Sequence, residues 1–109
     1  MSALKDLENA LVSLTPGEKA QLLQWVARDL GGASPGIDAI PGISGGEACI
    51  IRTRIPVWVL VRGRQLGLSE ADLLDSYPML RAEDLTNAWA YYRTHRSDVE
   101  QQIAENENA

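Results

Sequence analysis

The chain has 109 residues, 45% of them apolar and 23% charged, with a net charge of −5. That balance suits one compact domain, or a small domain with an appended element, and excludes wholesale disorder. As a whole, so acidic a chain is a poor polyanion binder. No apolar run approaches the roughly 20 residues of a membrane span, and one cysteine (Cys49) with one histidine (His95) leaves neither a disulfide framework nor a zinc site, so no metal or cofactor is expected.

The N-terminus alternates charge with leucine and lacks the apolar core of a signal peptide, so a bacterial-type cytoplasmic location is the default expectation. Leu4, Leu7, Leu11 and Leu14 fall at alternating three- and four-residue spacing, one stripe of an amphipathic helix. Thr15-Pro16-Gly17-Glu18 then stops that helix and starts another. Thr15 suits an N-cap, Pro16 the first helical position, and Glu18 the capping-box distance. Leu22, Leu23, Val26 and Leu30 line the second helix, which Gly31-Gly32 ends. Such a hairpin buries too little to be stable alone, so its stripes must dock on the rest of the chain or on another copy.

Residues 31–46 are rich in Gly, Pro and Ser and read as an extended linker anchored by Ile37, Ile40 and Ile43. Ala48 to Ile51, extended by Thr53 to Ile55, has the composition of a strand, and the chain offers no second convincing strand to pair with it. Pro56 opens a helix that is apolar on every side over Val57 to Val61. These two features predict a symmetric homodimer, with Ile50, Ile51, Thr53, Ile55, Val57, Trp58 and Val61 at its interface.

Gln65-Leu66-Gly67-Leu68-Ser69 resembles the turn of a helix-turn-helix, with Ser69 capping the next helix and Asp72 at the capping-box distance. Pro78 stops that helix. A third begins near Ala82, with Leu85, Ala88, Trp89 and Tyr92 as its buried stripe. From Gln101 onward the apolar periodicity is lost and the chain should fray.

The fold expected is all-α with one short β-strand. It comprises a helical hairpin extension (residues 1–31), a Gly/Pro-rich linker (32–46), a strand plus homeodomain-like trihelical domain (47–100) and a polar tail (101–109). Helices are predicted near 3–13, 16–30, 57–66, 70–77 and 82–100.

Charge is unevenly spread. Between Ile50 and Leu68 the only charged residues are Arg52, Arg54, Arg62 and Arg64, a cluster of cationic donors suited to phosphate contact. On the third helix, Asn87 is of the right type to read adenine, but Glu83-Asp84 at its start opposes phosphate approach. The bland alternatives are solvated or internally paired arginines and a purely structural packing module. Arg54, at a strand-to-helix junction, could instead satisfy backbone carbonyls. No catalytic triad, phosphate loop or carboxylate pair can be argued, so an enzyme is not expected.

Gly45-Gly46-Glu47-Ala48-Cys49-Ile50, Thr53-Arg54-Ile55-Pro56-Val57-Trp58, Gly67-Leu68-Ser69 and Asp75-Ser76-Tyr77-Pro78 together resemble domain-of-unknown-function family 433, the VapB-like antitoxins. Glu83-Asp84-Leu85 and Ala88-Trp89-Ala90-Tyr91-Tyr92 continue the match to about Val99. The resemblance implies a homeodomain-like dimer, an antitoxin role, a PIN-like ribonuclease toxin as partner, and operator DNA as a second partner. The alternatives are a stand-alone DNA-binding transcriptional regulator and a dimeric protein-interaction module with no nucleic-acid role. Two positions depart from the pattern: the family usually has glycine where this chain has Arg52, and Ser or Thr where it has Arg81.

Overall fold

A computed structural model describes residues 2–30, 33–39 and 46–107. The chain divides into two compact units, Met1–Gly32 and Ala33–Ala109.

The first unit is a pair of helices, α1 (Ala3–Leu11) and α2 (Pro16–Leu30). Both starts are capped as their local sequences require. The Ser2 hydroxyl accepts from the Lys5 amide at 3.1 Å. Thr15 and Glu18 form the reciprocal box: the Glu18 amide donates to Thr15 Oγ1 (3.1 Å) and the Thr15 amide to Glu18 Oε1 (2.9 Å). Neither helix contains a buried residue. The end signal at Gly31-Gly32 and the anchors Ile40 and Ile43 lie outside the described residues.

The second unit holds two short strands, β1 (Ile37–Asp38) and β2 (Cys49–Ile50), and four helices, α3 (Val57–Gln65), α4 (Glu70–Ser76), α5 (Ala82–Thr94) and α6 (Arg96–Glu107). α3 packs against α4, α5 and α6. Their shared interior is built from Val57, Leu60, Val61, Leu73, Leu85, Ala88, Val99 and Ile103, with Ile37, Ile50 and Ile55 covering one end. Gly67, in the left-handed region at φ 99°, lets the chain turn out of α3. Ser69 and Asp72 then close the expected capping box on α4. The fold is helical with one small sheet, as the sequence predicts.

Two details differ from expectation. First, the strand has a partner in its own chain. β1, read as linker, pairs antiparallel with β2, placing Ile37 opposite Ile50 and Asp38 opposite Cys49. On its other edge β2 meets the returning chain: the Ile50 amide donates to the Ile55 carbonyl (2.9 Å) and the Val57 amide to the Ala48 carbonyl (2.9 Å). Thr53 to Ile55 is therefore a tight turn and its return, not an extension of the strand. Thr53 Oγ1 holds that turn, donating to the Ile50 carbonyl and accepting from the Ile55 amide, both at 3.0 Å.

Second, the long last helix is two helices. His95 breaks it, with its ring stacked on Tyr91 at a centroid distance of 4.0 Å. α6 then continues to Glu107 and buries Val99 and Ile103, one turn apart on one face. Residues 101–107 do not fray, because that face docks on α3 and α5.

Candidate functional site

The four arginines of the sequence-predicted cluster do not act as one set. Arg52 and Arg54 both lie in the turn after β2, at φ 71° and 62°, a region that non-glycine residues adopt only at a cost. Arg52 reaches 32 residues along the chain to Asp84, Nη2 to Oδ1 at 3.1 Å. Arg62 forms an ion pair with Glu107. Arg64 lies over the Trp89 ring, 4.6 Å from its centroid. Arg54 is exposed and forms no ion pair among the described residues. Arg52 and Arg62 are thus paired with carboxylates, whereas Arg64 is exposed and lies over an aromatic ring.

Asp84 is the group that the sequence reading undervalued. It is only 1% exposed. Both oxygens accept from Arg52 Nη2, and Oδ2 also accepts from the Arg81 amide at 2.8 Å. A buried carboxylate is tolerable only when so paired and hydrogen-bonded. It also explains both departures from the family pattern. Arg52 occupies a left-handed position that favours glycine, and its side chain ties that turn to the start of α5. Arg81 has no side-chain acceptor to cap α5, and Asp84 closes the helix start by accepting from the Arg81 backbone instead.

Asn87 does not stand free on α5. A Cβ atom on Gly36 would lie 2.4 Å from Asn87 Nδ2, so the chain before β1 passes directly against this side chain. Gly36, at φ 72°, is required there on both counts. The face of α5 expected to read bases is partly covered by β1, with which it is in contact.

The proposed dimer residues are also redistributed. Ile50, Ile55, Val57 and Val61 are buried in the chain's own core. Ile51, Thr53 and Trp58 are half-buried, and Trp58 Nε1 donates to Glu47. The strand edges that motivated this interface are filled among the described residues, because β1 and the returning chain pair with both sides of β2.

Exposed apolar surface is found elsewhere. Leu4, Leu7, Leu11 and Val12 on and after α1, and Leu23, Trp25, Val26 and Leu30 on α2, are all exposed. The second unit also carries cations that sequence reasoning passed over. Arg93 and Arg96 flank the break at His95, and Arg96 stacks on Tyr92 at 4.7 Å. Their signal was the run Tyr91-Tyr92-Arg93-Thr94-His95-Arg96, in which aromatic and cationic residues interleave. No group of three or more His, Cys, Asp or Glu side chains able to hold a metal ion occurs among the described residues. No helix among them is long and apolar enough to cross a membrane.

A small antiparallel sheet beside four helices, with a glycine turn at Gly67 and a buried Arg52–Asp84 tie, defines a small, mostly helical module. The chain belongs to the family described as Protein of unknown function (DUF433), whose model matches residues 37–92. It is similar to the crystal structure of a DUF433 member protein from Anabaena variabilis, with 38% identity and a TM-score of 0.64. That match covers 95% of this chain and 99% of the other. No curated protein matches the chain.

Proposed function

We propose that this protein is a non-enzymatic, antitoxin-like adaptor that binds a partner protein through its N-terminal hairpin. The observation that carries this reading is the hairpin itself: two capped helices with no buried residue, in which Leu4, Leu7, Leu11, Leu23, Trp25, Val26 and Leu30 are exposed. Helices of this length are marginal in water without a surface to pack on. A contiguous exposed apolar face on a soluble domain is a partner-binding signature. The resemblance to VapB-like antitoxins names the expected partner, a PIN-like ribonuclease. In that role the hairpin lies along the toxin and the second unit serves as the folded anchor. Reading of operator bases by α5 is the weaker arm, since Asn87 is packed against Gly36 and the helix begins with two carboxylates.

The test is inhibition. Equimolar full-length protein should abolish RNA cleavage by a PIN-like ribonuclease of the same organism. A Leu7→Glu, Leu23→Glu double variant, altered only at exposed positions, should fold normally and fail to inhibit. Undiminished cleavage in the presence of the unaltered protein overturns the reading.

A further inference from the structure

Three arginines converge where the end of α3, the end of α5 and the start of α6 meet. Arg64, Arg93 and Arg96 line one cleft of about 470 Å³, together with Gln65, Trp89 and Tyr92. That volume lies within the roughly 300–1,000 Å³ range of small-ligand sites. All three arginines are exposed, and none forms an ion pair among the described residues. This happens in a chain with 15 acidic residues against 10 Lys and Arg, where carboxylates are in excess. Two carboxylates border the set and are already engaged: Glu70 accepts from Trp89 Nε1 at 2.9 Å, and Glu100 accepts from Gln65 Nε2 at 3.0 Å and from the Tyr92 hydroxyl.

Helix dipoles account for only part of this. Arg64 and Arg93 sit in the last turns of α3 and α5, where a cation is favoured. Arg96 is the first residue of α6, where the helix pole is positive and a cation is disfavoured. The aromatic rings pre-set the donors. Arg64 lies over Trp89 and Arg96 over Tyr92, 4.6 and 4.7 Å from the ring centroids, and one Arg96 nitrogen donates to the Tyr92 hydroxyl at 3.3 Å. A planar fork of donors already held beside a ring matches phosphate bidentately and with little loss of freedom on binding.

We propose that this cleft binds consecutive phosphate groups, supplied either by a nucleic-acid backbone or by a free polyphosphate. The site lies wholly in residues 61–96, in the second unit. It stands or falls independently of the hairpin and of any toxin.

The experiment uses the full chain and two probes, a labelled oligonucleotide of roughly 20 nucleotides and inorganic tripolyphosphate, at about 50 mM salt, where phosphate contacts are strongest. Arg93→Gln is the principal variant, because Arg93 is exposed and forms no ion pair among the described residues. Arg64→Gln and Arg96→Gln accompany it, with circular dichroism to confirm folding. Arg28→Gln, exposed on α2 and outside the cleft, is the control. Each cleft variant should weaken oligonucleotide binding by about 3- to 10-fold and lower the salt slope by about one, while Arg28→Gln changes neither. Displacement of the strand by tripolyphosphate at equal phosphate concentration assigns a free polyphosphate as ligand; binding of the strand without such displacement assigns the nucleic-acid backbone. Failure of both probes to bind, or an equal loss in Arg28→Gln, overturns the proposal.

Discussion

The two units are both helical, both capped by reciprocal boxes, and opposite in what they do with apolar side chains. The hairpin places leucines at helical spacing and buries none of them, whereas the second unit buries Val57, Leu60, Leu85 and Ala88 completely. Periodicity is therefore not packing. An amphipathic stripe states that a helix has a side to hide, and only the rest of the structure decides whether it hides it. In the second unit, three helices and a strand turn converge on α3, so burial is cooperative. In the first, neither helix has a buried residue.

The largest expected effect separates the units by stability. Leu85→Ala removes a fully buried side chain and should cost about 2–5 kcal/mol. Leu23→Ala, at a position 69% exposed, should cost less than about 0.5 kcal/mol. Removing residues 1–32 should leave cooperative unfolding of the remainder with nearly the same urea midpoint. A deletion that abolishes the transition would break the comparison, because the hairpin would then belong to the core. Ile50→Lys belongs with Leu85→Ala. At 1% exposure it tests folding, not association.

A smaller effect concerns the tie inside the second unit. Asp84→Ala strands the Arg52 guanidinium and the Arg81 amide, and should cost about 1–3 kcal/mol. Arg52→Gly relieves a left-handed backbone, a gain of about 1–2 kcal/mol, but leaves the buried Asp84 carboxylate without its cation, a loss of about 3–5 kcal/mol, so it should destabilise. In the Asp84→Ala background only the backbone gain remains, and Arg52→Gly should then stabilise. Chemical denaturation of the two single variants and the double variant checks this. Equal destabilisation by Arg52→Gly in both backgrounds would show that the turn, not the ion pair, dictates arginine at that position.

Local signals were legible and distant ones were not. The boxes Thr15–Glu18 and Ser69–Asp72 and the turn at Gly67 were readable because each is complete within a few residues. β1 was hidden because two residues carry no period, and only pairing with β2 across the intervening segment makes Ile37–Asp38 a strand. α6 was hidden because just Val99 and Ile103 mark its buried face among polar neighbours. Asp84 read as an ordinary helix-start carboxylate; nothing near it in sequence announces Arg52. The cationic cleft was missed for the same reason. Arg64 was counted with its chain neighbours, while its spatial neighbours are Arg93 and Arg96.

The smallest effect uses the one motif that the two units share. In α4 the Ser69 amide donates to the Asp72 carboxylate at 2.9 Å, and the Asp72 amide donates to the Ser69 hydroxyl at 3.1 Å. The backbone donor at Ser69, followed by its side chain, holds the Asp72 carboxyl below its ordinary value of 3.8. A lowered folded-state pKa means that the ionised form favours the fold. Its contribution is full above the unfolded value of 3.8 and is lost as pH falls through the lower folded value. Asp72→Asn should therefore unfold at lower urea than the unaltered protein near neutral pH. The gap between the two midpoints should narrow as pH drops below 3.8. The corresponding change in the hairpin, Thr15→Ala, removes the acceptor for the Glu18 amide. It should reduce helicity seen by circular dichroism while leaving the urea midpoint in place, because fraying of a unit with no buried residue does not propagate into the core. If Thr15→Ala moves the global midpoint as far as Asp72→Asn does, the hairpin is coupled to the core and the contrast between the units fails.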